Sequence, residues 1–141
     1  MEKAAAQIGQ QGGRAWTLAG VADLGVLRGQ LRAYMAEQGV SSPTVADIIL
    51  ATQEAAKNAV CASSGRLVTV RVFLTDAIVW VSVQDEGRGF AQTASRRCPG
   101  IWSTHGRGLC LMHTLMDDVE ITHRHGTRVV MRRHFGDRAA S

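Results

Sequence analysis

Residues 68–85 read VTVRVFLTDAIVWVSVQD, and this stretch decides the fold class. Apolar residues occupy every second position in 68–74, and valines do the same in 79–83. A period of two residues is typical of a strand with one buried face. Thr75 and Asp76 lie between the two runs and predict a tight turn. The stretch therefore predicts a β-hairpin.

On either side of the hairpin the period changes to that of helices. One helix is predicted from Asp23, a plausible N-cap, to a stop at Gly39, and a second from Ser41-Ser42-Pro43 to a point before Gly65. A third helix is expected to begin near Gly106. Short strands are predicted over 14–18, 119–123 and 127–131. The predicted fold is α+β, a two-layer sandwich in which a mixed, mostly antiparallel sheet packs against about three helices.

Length and composition fit one globular domain. The chain has 141 residues, of which 45% are hydrophobic and 20% charged. We expect a flexible tail over residues 1–13, the domain over 14–135 and a second tail over 136–141. No apolar run approaches a membrane span, and the first residues lack the apolar core of a secretory signal. We therefore expect a cytoplasmic protein that does not bind membranes.

The net charge is +4, and five arginines crowd the last eighteen residues. Nucleic-acid binding without nucleotide is one interpretation of this basic end, but no base-stacking aromatic series or helix-turn-helix pattern accompanies it. The interpretation that we favour is a solvated strand edge or a surface for an acidic protein partner. We expect no direct contact with nucleic acid.

Glu54 and Asn58 lie four residues apart on the second predicted helix and therefore point to one side. Small alanines flank them, so we expect this side to be open to a ligand. A carboxylate and an amide oxygen suit a hard cation, or a hydroxyl that must lose a proton. An ordinary polar pair on a helix surface is the alternative.

Asp85 ends the hairpin at the parity of its buried valines, so its carboxylate is expected to face the core. Such burial is costly unless a donor such as the exocyclic amine of a purine is present. Gly87 and Gly89 follow and allow the backbone to approach a ligand closely. A common strand-ending turn rich in Asp and Gly is the alternative.

Two glycine motifs complete the candidate site. Gly106-Arg107-Gly108-Leu109 leads into a helix whose first N–H groups are free for phosphate oxygens. Gly126-Thr127 opens the last strand with a hydroxyl at inward parity. Each motif is also typical of ordinary turns, and neither a Walker A loop nor a Rossmann fingerprint is present.

The order and spacing of these four motifs resemble the Bergerat-fold ATPases, which include the ATP domains of gyrase, of Hsp-type chaperones and of histidine kinases. The resemblance covers roughly residues 14–134 and is closest to the bacterial anti-sigma factor serine kinases. Two positions depart from the family pattern, since Gln53 stands where Asp or Ser is common and Ala62 where His is frequent.

The resemblance implies a role for each motif. Glu54 would be the general base, and Asn58 would ligate Mg²⁺. Asp85, assisted by Thr127, would accept a hydrogen bond from the adenine amine. The remaining implied contacts are Gly87 and Gly89 at the adenine, Gly106, Arg107, Gly108 and Leu109 around the phosphates, Lys57 and Arg107 as phosphate-side cations, and residues 91–105 as a lid.

The resemblance also implies an activity and partners. The chain would bind ATP and Mg²⁺, phosphorylate a serine of an anti-anti-sigma protein of the STAS type, and sequester a sigma factor, with a homodimer left open. A sequestering module that holds ATP without transferring phosphate is one alternative. A stand-alone ATP domain of the histidine kinase type is another.

Overall fold

The computed structural model describes residues 13–63, 65–85, 107–123 and 126–135. These form five strands and three α-helices, with one short 3₁₀ turn at Val21–Asp23. In chain order they are β1 (Arg14–Leu18), α1 (Leu24–Glu37), α2 (Ser42–Ala62), β2 (Val68–Thr75), β3 (Ile78–Asp85), α3 (Arg107–Leu115), β4 (Asp118–His123) and β5 (Thr127–His134). The predicted tails lie outside the described residues, apart from Gly13.

The five strands form one sheet in the order β1-β2-β3-β5-β4. All four pairings are antiparallel, so the parallel component allowed for by the sequence is not found among the described strands. The predicted α+β class is confirmed. Because β5 is antiparallel to β3 and lies next to it, the start of β5 lies beside the end of β3, the second strand of the central hairpin.

Local chemistry explains where the first two helices begin and end. Asp23 occupies the N-cap position of α1, but its carboxylate accepts from the backbone N–H of Ala19 at 2.7 Å and does not cap the helix. Gly39 follows the end of α1 and lies in the left-handed region with φ of 83°, a conformation that glycine adopts without strain. Pro43 lies in the first turn of α2, where its missing N–H costs nothing.

The core lies between the sheet and the helical layer. The valines that alternate in β2 and β3 are fully buried, and they meet buried residues of all three helices, among them Leu31, Ile48 and Met112. Complete burial of such a side chain stabilises the fold by roughly 1.5–3 kcal/mol. The sheet face that carries these valines is therefore the face that carries the helices.

The opposite face of the sheet carries a row of cross-strand neighbours. Phe73 pairs with Trp80, and Trp80 pairs with Arg132 on β5. The Arg132 guanidinium lies 6.0 Å from the centre of the Trp80 ring and also forms an ion pair with Asp118. Phe73 is only 4% exposed, although the alternation places it on the face away from the helices.

No helix in the described part is both long and apolar enough to span a bilayer.

Candidate functional site

Glu54 and Asn58 lie one turn apart on α2, as their spacing predicts. Asn58 is buried at 8% exposure, and the Glu54 side chain is 23% exposed. The alanines beside them, Ala51, Ala55 and Ala62, are buried as well. These small side chains let α3 pack closely on this part of α2, so that Asn58 is covered while the Glu54 side chain stays partly exposed.

Gly108, in the first turn of α3, lies directly against α2. A Cβ atom placed on Gly108 would lie 2.9 Å from Oε1 of Glu54 and 3.2 Å from Nδ2 of Asn58. A larger residue here would have to displace the ends of the Glu54 and Asn58 side chains, so glycine lets the two helices meet without moving either group. The structure thus joins two motifs that are about fifty residues apart in sequence.

This junction has a defined electrostatic character. The first N–H groups of α3 have no carbonyl partner within the helix, and they give its N-terminus a partial positive charge. The Glu54 carboxylate and the Asn58 amide adjoin that terminus through Gly108. Lys57 adds a cation at the rim, because its Nζ lies 3.7 Å from Oε2 of Glu54 and its side chain is 54% exposed. Donors for an anion and oxygen ligands for a cation therefore meet at one place.

The second group of predicted residues lies at the ends of two neighbouring strands. Asp85 ends β3 and Thr127 opens β5, and each is 2% exposed. Gln84 pairs with Arg128, so the same register brings Asp85 opposite Thr127. Asp85 follows the buried valines of β3 in parity and thus lies on the helical side of the sheet. Thr127 Oγ1 lies 3.3 Å from Nδ1 of His123, which provides a polar partner for the hydroxyl.

Several predicted positions cannot be placed. Gly87, Gly89, Gly106 and the expected lid over 91–105 lie outside the described residues, as does the Arg107 side chain. Leu109 is described and is buried at 8% exposure in the core, so only its backbone is free to take part in a site.

The described residues contain no cluster of three or more His, Cys, Asp or Glu side chains that could hold a metal ion by themselves. Asn58 nevertheless carries an amide oxygen, a hard donor, and its amide nitrogen is the atom that faces Gly108. Mg²⁺ commonly takes one or two protein oxygens and completes its shell with phosphate and water. The residues present therefore fit a Mg²⁺ ion that arrives with a nucleotide.

Sequence reasoning did not find two contacts that join the elements carrying the site. Gln53 Nε2 donates to the carbonyl of Leu24 at 2.9 Å and ties α2 to the start of α1. Arg133 Nη1 donates to Oδ2 of Asp47 at 2.9 Å and to the carbonyl of Leu115 at 2.6 Å. The signal for the second contact was present, since Arg133 has the inward parity of Met131 in the last strand.

The sequence profile of the histidine kinase-like ATPase domain matches residues 17–133, which include both groups of site residues. The chain belongs to this family. Membership in an ATPase domain family implies ATP binding, and the kinase-like ATPase fold agrees with the α+β architecture described above.

A curated protein of known role is similar to this chain in sequence. The anti-sigma F factor of Caldanaerobacter subterraneus subsp. tengcongensis is 29% identical over 115 residues, which cover 74% of this chain and 80% of that protein. The likeness supports the anti-sigma branch that the motifs resemble.

Two solved structures share the fold. The crystal structure of the RsbU and RsbW domains of Rv1364c from Mycobacterium tuberculosis has a TM-score of 0.64 at 24% identity. The match covers 86% of this chain and 32% of that one, so this chain spans about a third of that protein. The blue-light activated histidine kinase of Erythrobacter litoralis EL346 has a TM-score of 0.56 at 21% identity, covering 72% of this chain and 34% of that one.

Proposed function

We propose that this chain is an ATP-binding anti-sigma factor with protein serine kinase activity, which phosphorylates an anti-anti-sigma partner and sequesters a sigma factor. The observation that carries the proposal is the junction of Glu54, Asn58 and Gly108, where a carboxylate, an amide and a helix N-terminus meet. The similarity to an anti-sigma F factor supports the choice of partners. The kinase-like ATPase family supports the use of ATP.

In the proposed complex the nucleotide spans the two groups of site residues. Asp85 accepts a hydrogen bond from the adenine amine, and Thr127 assists beside it. The backbone N–H groups around Gly106, Arg107, Gly108 and Leu109 bind the phosphates, while Gly87 and Gly89 border the adenine. Fixed dipoles of this kind stabilise phosphate charge without reorganising during the reaction.

Asn58 holds Mg²⁺ through its amide oxygen. The bound ion would supply neutralisation of the phosphate charge. Lys57 pairs with Glu54 at the exposed rim of the same face. In the proposed complex its ammonium group serves as a cation for the phosphates. Positioning and charge stabilisation supply most of the catalysis in such a transfer.

Glu54 acts on the acceptor. Its carboxylate takes the proton from the serine hydroxyl of the partner as that oxygen attacks the γ-phosphorus, and ADP leaves. The side chain is partly exposed, so a partner residue can reach it without displacing the buried Asn58. Glu54 is therefore expected to matter for transfer and not for nucleotide binding.

The test compares two variants on one helix face. Glu54→Gln is nearly isosteric and removes only the basicity, so ATP affinity should stay within a few-fold while phosphotransfer falls by about 10²–10⁴. Asn58→Ala removes the metal ligand, so ATP–Mg²⁺ binding and transfer should fall together. Glu37→Gln, at the exposed end of α1, serves as the matched control.

The assay uses radiolabelled ATP, Mg²⁺ and a purified anti-anti-sigma protein of the STAS type. Equal transfer by Glu54→Gln and the parent would exclude Glu54 as the base. A parent that binds ATP and the sigma factor but never transfers phosphate would instead support the sequestering module.

A histidine kinase-type ATP domain is the second candidate, since the Erythrobacter litoralis histidine kinase shares this fold. It would place the phosphate on a histidine of a separate chain. Phosphohistidine is labile in acid and phosphoserine is not, so acid treatment of the labelled partner separates these two functions.

A further inference from the structure

Arg133 connects three elements that carry the candidate site. Its guanidinium group extends from β5, and Nη1 lies 2.9 Å from Oδ2 of Asp47 on α2 and 2.6 Å from the carbonyl of Leu115. The Arg133 side chain is 22% exposed and that of Asp47 39% exposed, so water screens this pair only in part. One side chain thus joins the last strand to the helix of Glu54 and to the end of α3.

Leu115 is the last residue of α3, and its carbonyl is one of those that a helix leaves without an internal partner. A cation at the C-terminus of a helix also interacts favourably with its dipole. Arg133 supplies both the hydrogen bond and the charge. The neighbouring turn is fixed to the same strand, because the backbone N–H of Asp117 donates to the carbonyl of Arg132 at 2.9 Å.

The position of the C-terminal end of α3 determines the position of its N-terminal end. Leu115 follows Gly108 by seven positions, which corresponds to about 10 Å along a rigid helix. Arg133 is therefore too far from Gly108 to touch a ligand there. Because a nine-residue helix moves as one body, a shift or tilt at Leu115 is transmitted to the turn that faces Glu54 and Asn58.

We infer that Arg133, through its contacts with Asp47 and Leu115, is a positioning residue that sets the phosphate-binding end of α3. The inference rests on the proposed nucleotide site. It distinguishes the two halves of that site, since Asp85 and Thr127 belong to the sheet and do not depend on α3. Loss of Arg133 should weaken the binding of nucleotides that carry phosphates and leave the binding of adenosine unchanged.

The experiment measures ATP, ADP and adenosine affinities by calorimetry in the full chain. Arg133→Met keeps the aliphatic stem and removes the donors. We expect it to lower ATP affinity about ten-fold, which corresponds to about 1.4 kcal/mol of misaligned hydrogen bonds to phosphate, while adenosine affinity stays within about two-fold. Equal losses for ATP and adenosine, or no loss of ATP affinity, would overturn the inference.

Arg132→Met is the matched control. Arg132 is the adjacent arginine of β5, and it too pairs with an aspartate, but its partner Asp118 and the Trp80 ring involve the strands alone. We expect the ratio of ATP to adenosine affinity in Arg132→Met to equal that of the parent. An equal change of the ratio in both variants would mean that general loosening of β5 is responsible, and would overturn the role assigned to Arg133.

Asp47→Ala provides a second variant should Arg133→Met fail to fold. It leaves the bond to Leu115 in place, so we expect a smaller reduction of the ratio, about three-fold. Where Arg133→Met folds, combining the two changes should give a loss of ATP affinity smaller than the product of the single losses. An unchanged ratio in Asp47→Ala when Arg133→Met does not fold would contradict the inference. Failure of the parent to bind ATP would instead refute the proposed function, so the two failures are distinguishable.

Discussion

Replacement of Gly108 by alanine tests whether the contact between α2 and α3 serves function. The added Cβ would lie 2.9 Å from Oε1 of Glu54 and 3.2 Å from Nδ2 of Asn58. Ordinary contacts between such atoms are near 3.5 Å, so the carboxylate must move by about half an ångström and the amide by somewhat less. Glu54 is partly exposed and can turn aside, whereas Asn58 is buried and has less freedom.

The same substitution has an opposite effect on the stability of the helix. Alanine is favoured over glycine inside a helix by up to about 1 kcal/mol, and this gain offsets the cost of moving two side-chain ends. We therefore expect the free energy of unfolding of Gly108→Ala to differ from that of the parent by less than about 1 kcal/mol. Displacement of catalytic groups by a fraction of an ångström is expected to lower phosphotransfer about ten- to a hundred-fold.

The assay pairs urea unfolding with phosphotransfer from radiolabelled ATP. Gly29→Ala on α1 is the control, because a Cβ at Gly29 meets no atom within 4 Å. This variant should gain stability and transfer phosphate at the parent rate. If Gly108→Ala transfers phosphate as fast as Gly29→Ala, the close contact at Gly108 has no catalytic meaning.

Two further predictions concern charged groups. Lys57→Gln should weaken ATP binding several-fold at low ionic strength and much less in 1 M salt, where charges are screened beyond about 3 Å, and calorimetry at both salt concentrations checks this. If ATP affinity is the same in both proteins at low salt, Lys57 is only a surface partner of Glu54. Partial burial, the largest single effect, raises the pKa of Asp117, but hydrogen bonds from the backbone N–H and ring of His134 and the charges of His134 and Arg133 together hold that pKa below its ordinary value of 3.8. Asp117 therefore contributes stability above pH 3.8, and this contribution is lost as the pH falls through the lowered pKa. In acid unfolding titrations, Asp117→Asn should lose less free energy of unfolding than the parent. An equal loss in the two proteins would contradict this prediction.

The central hairpin could be predicted because its information is local. The alternation in residues 68–85 fixes which face each side chain takes, and Asp85 lies at the buried end of that pattern. The spacing of Glu54 and Asn58 likewise follows from helix geometry alone. These features require no knowledge of distant parts of the chain.

The features that could not be predicted are all long-range. The sequence does not show that α3 packs over Asn58, because the packing depends on small residues of α2 and Gly108 meeting in space. The same holds for Arg133, whose inward parity was visible but whose partners, Asp47 and Leu115, are 86 and 18 residues away. A charged residue at core parity is thus a signal that a distant acceptor exists.

The most direct test of the account is ATP binding by the parent and by Asp85→Asn, measured by calorimetry with Mg²⁺. Asn offers a donor where the adenine amine needs an acceptor, and loss of a hydrogen bond to a charged group costs about 1.5–3 kcal/mol. Asp76→Asn is the control, since Asp76 lies in the turn at the other end of the hairpin with φ of 46°, which Asn also tolerates. The account predicts one ATP site in the parent, unchanged affinity in Asp76→Asn and affinity ten- to a hundred-fold weaker in Asp85→Asn. A parent that does not bind ATP, or a folded Asp85→Asn with the affinity of the parent, would contradict it.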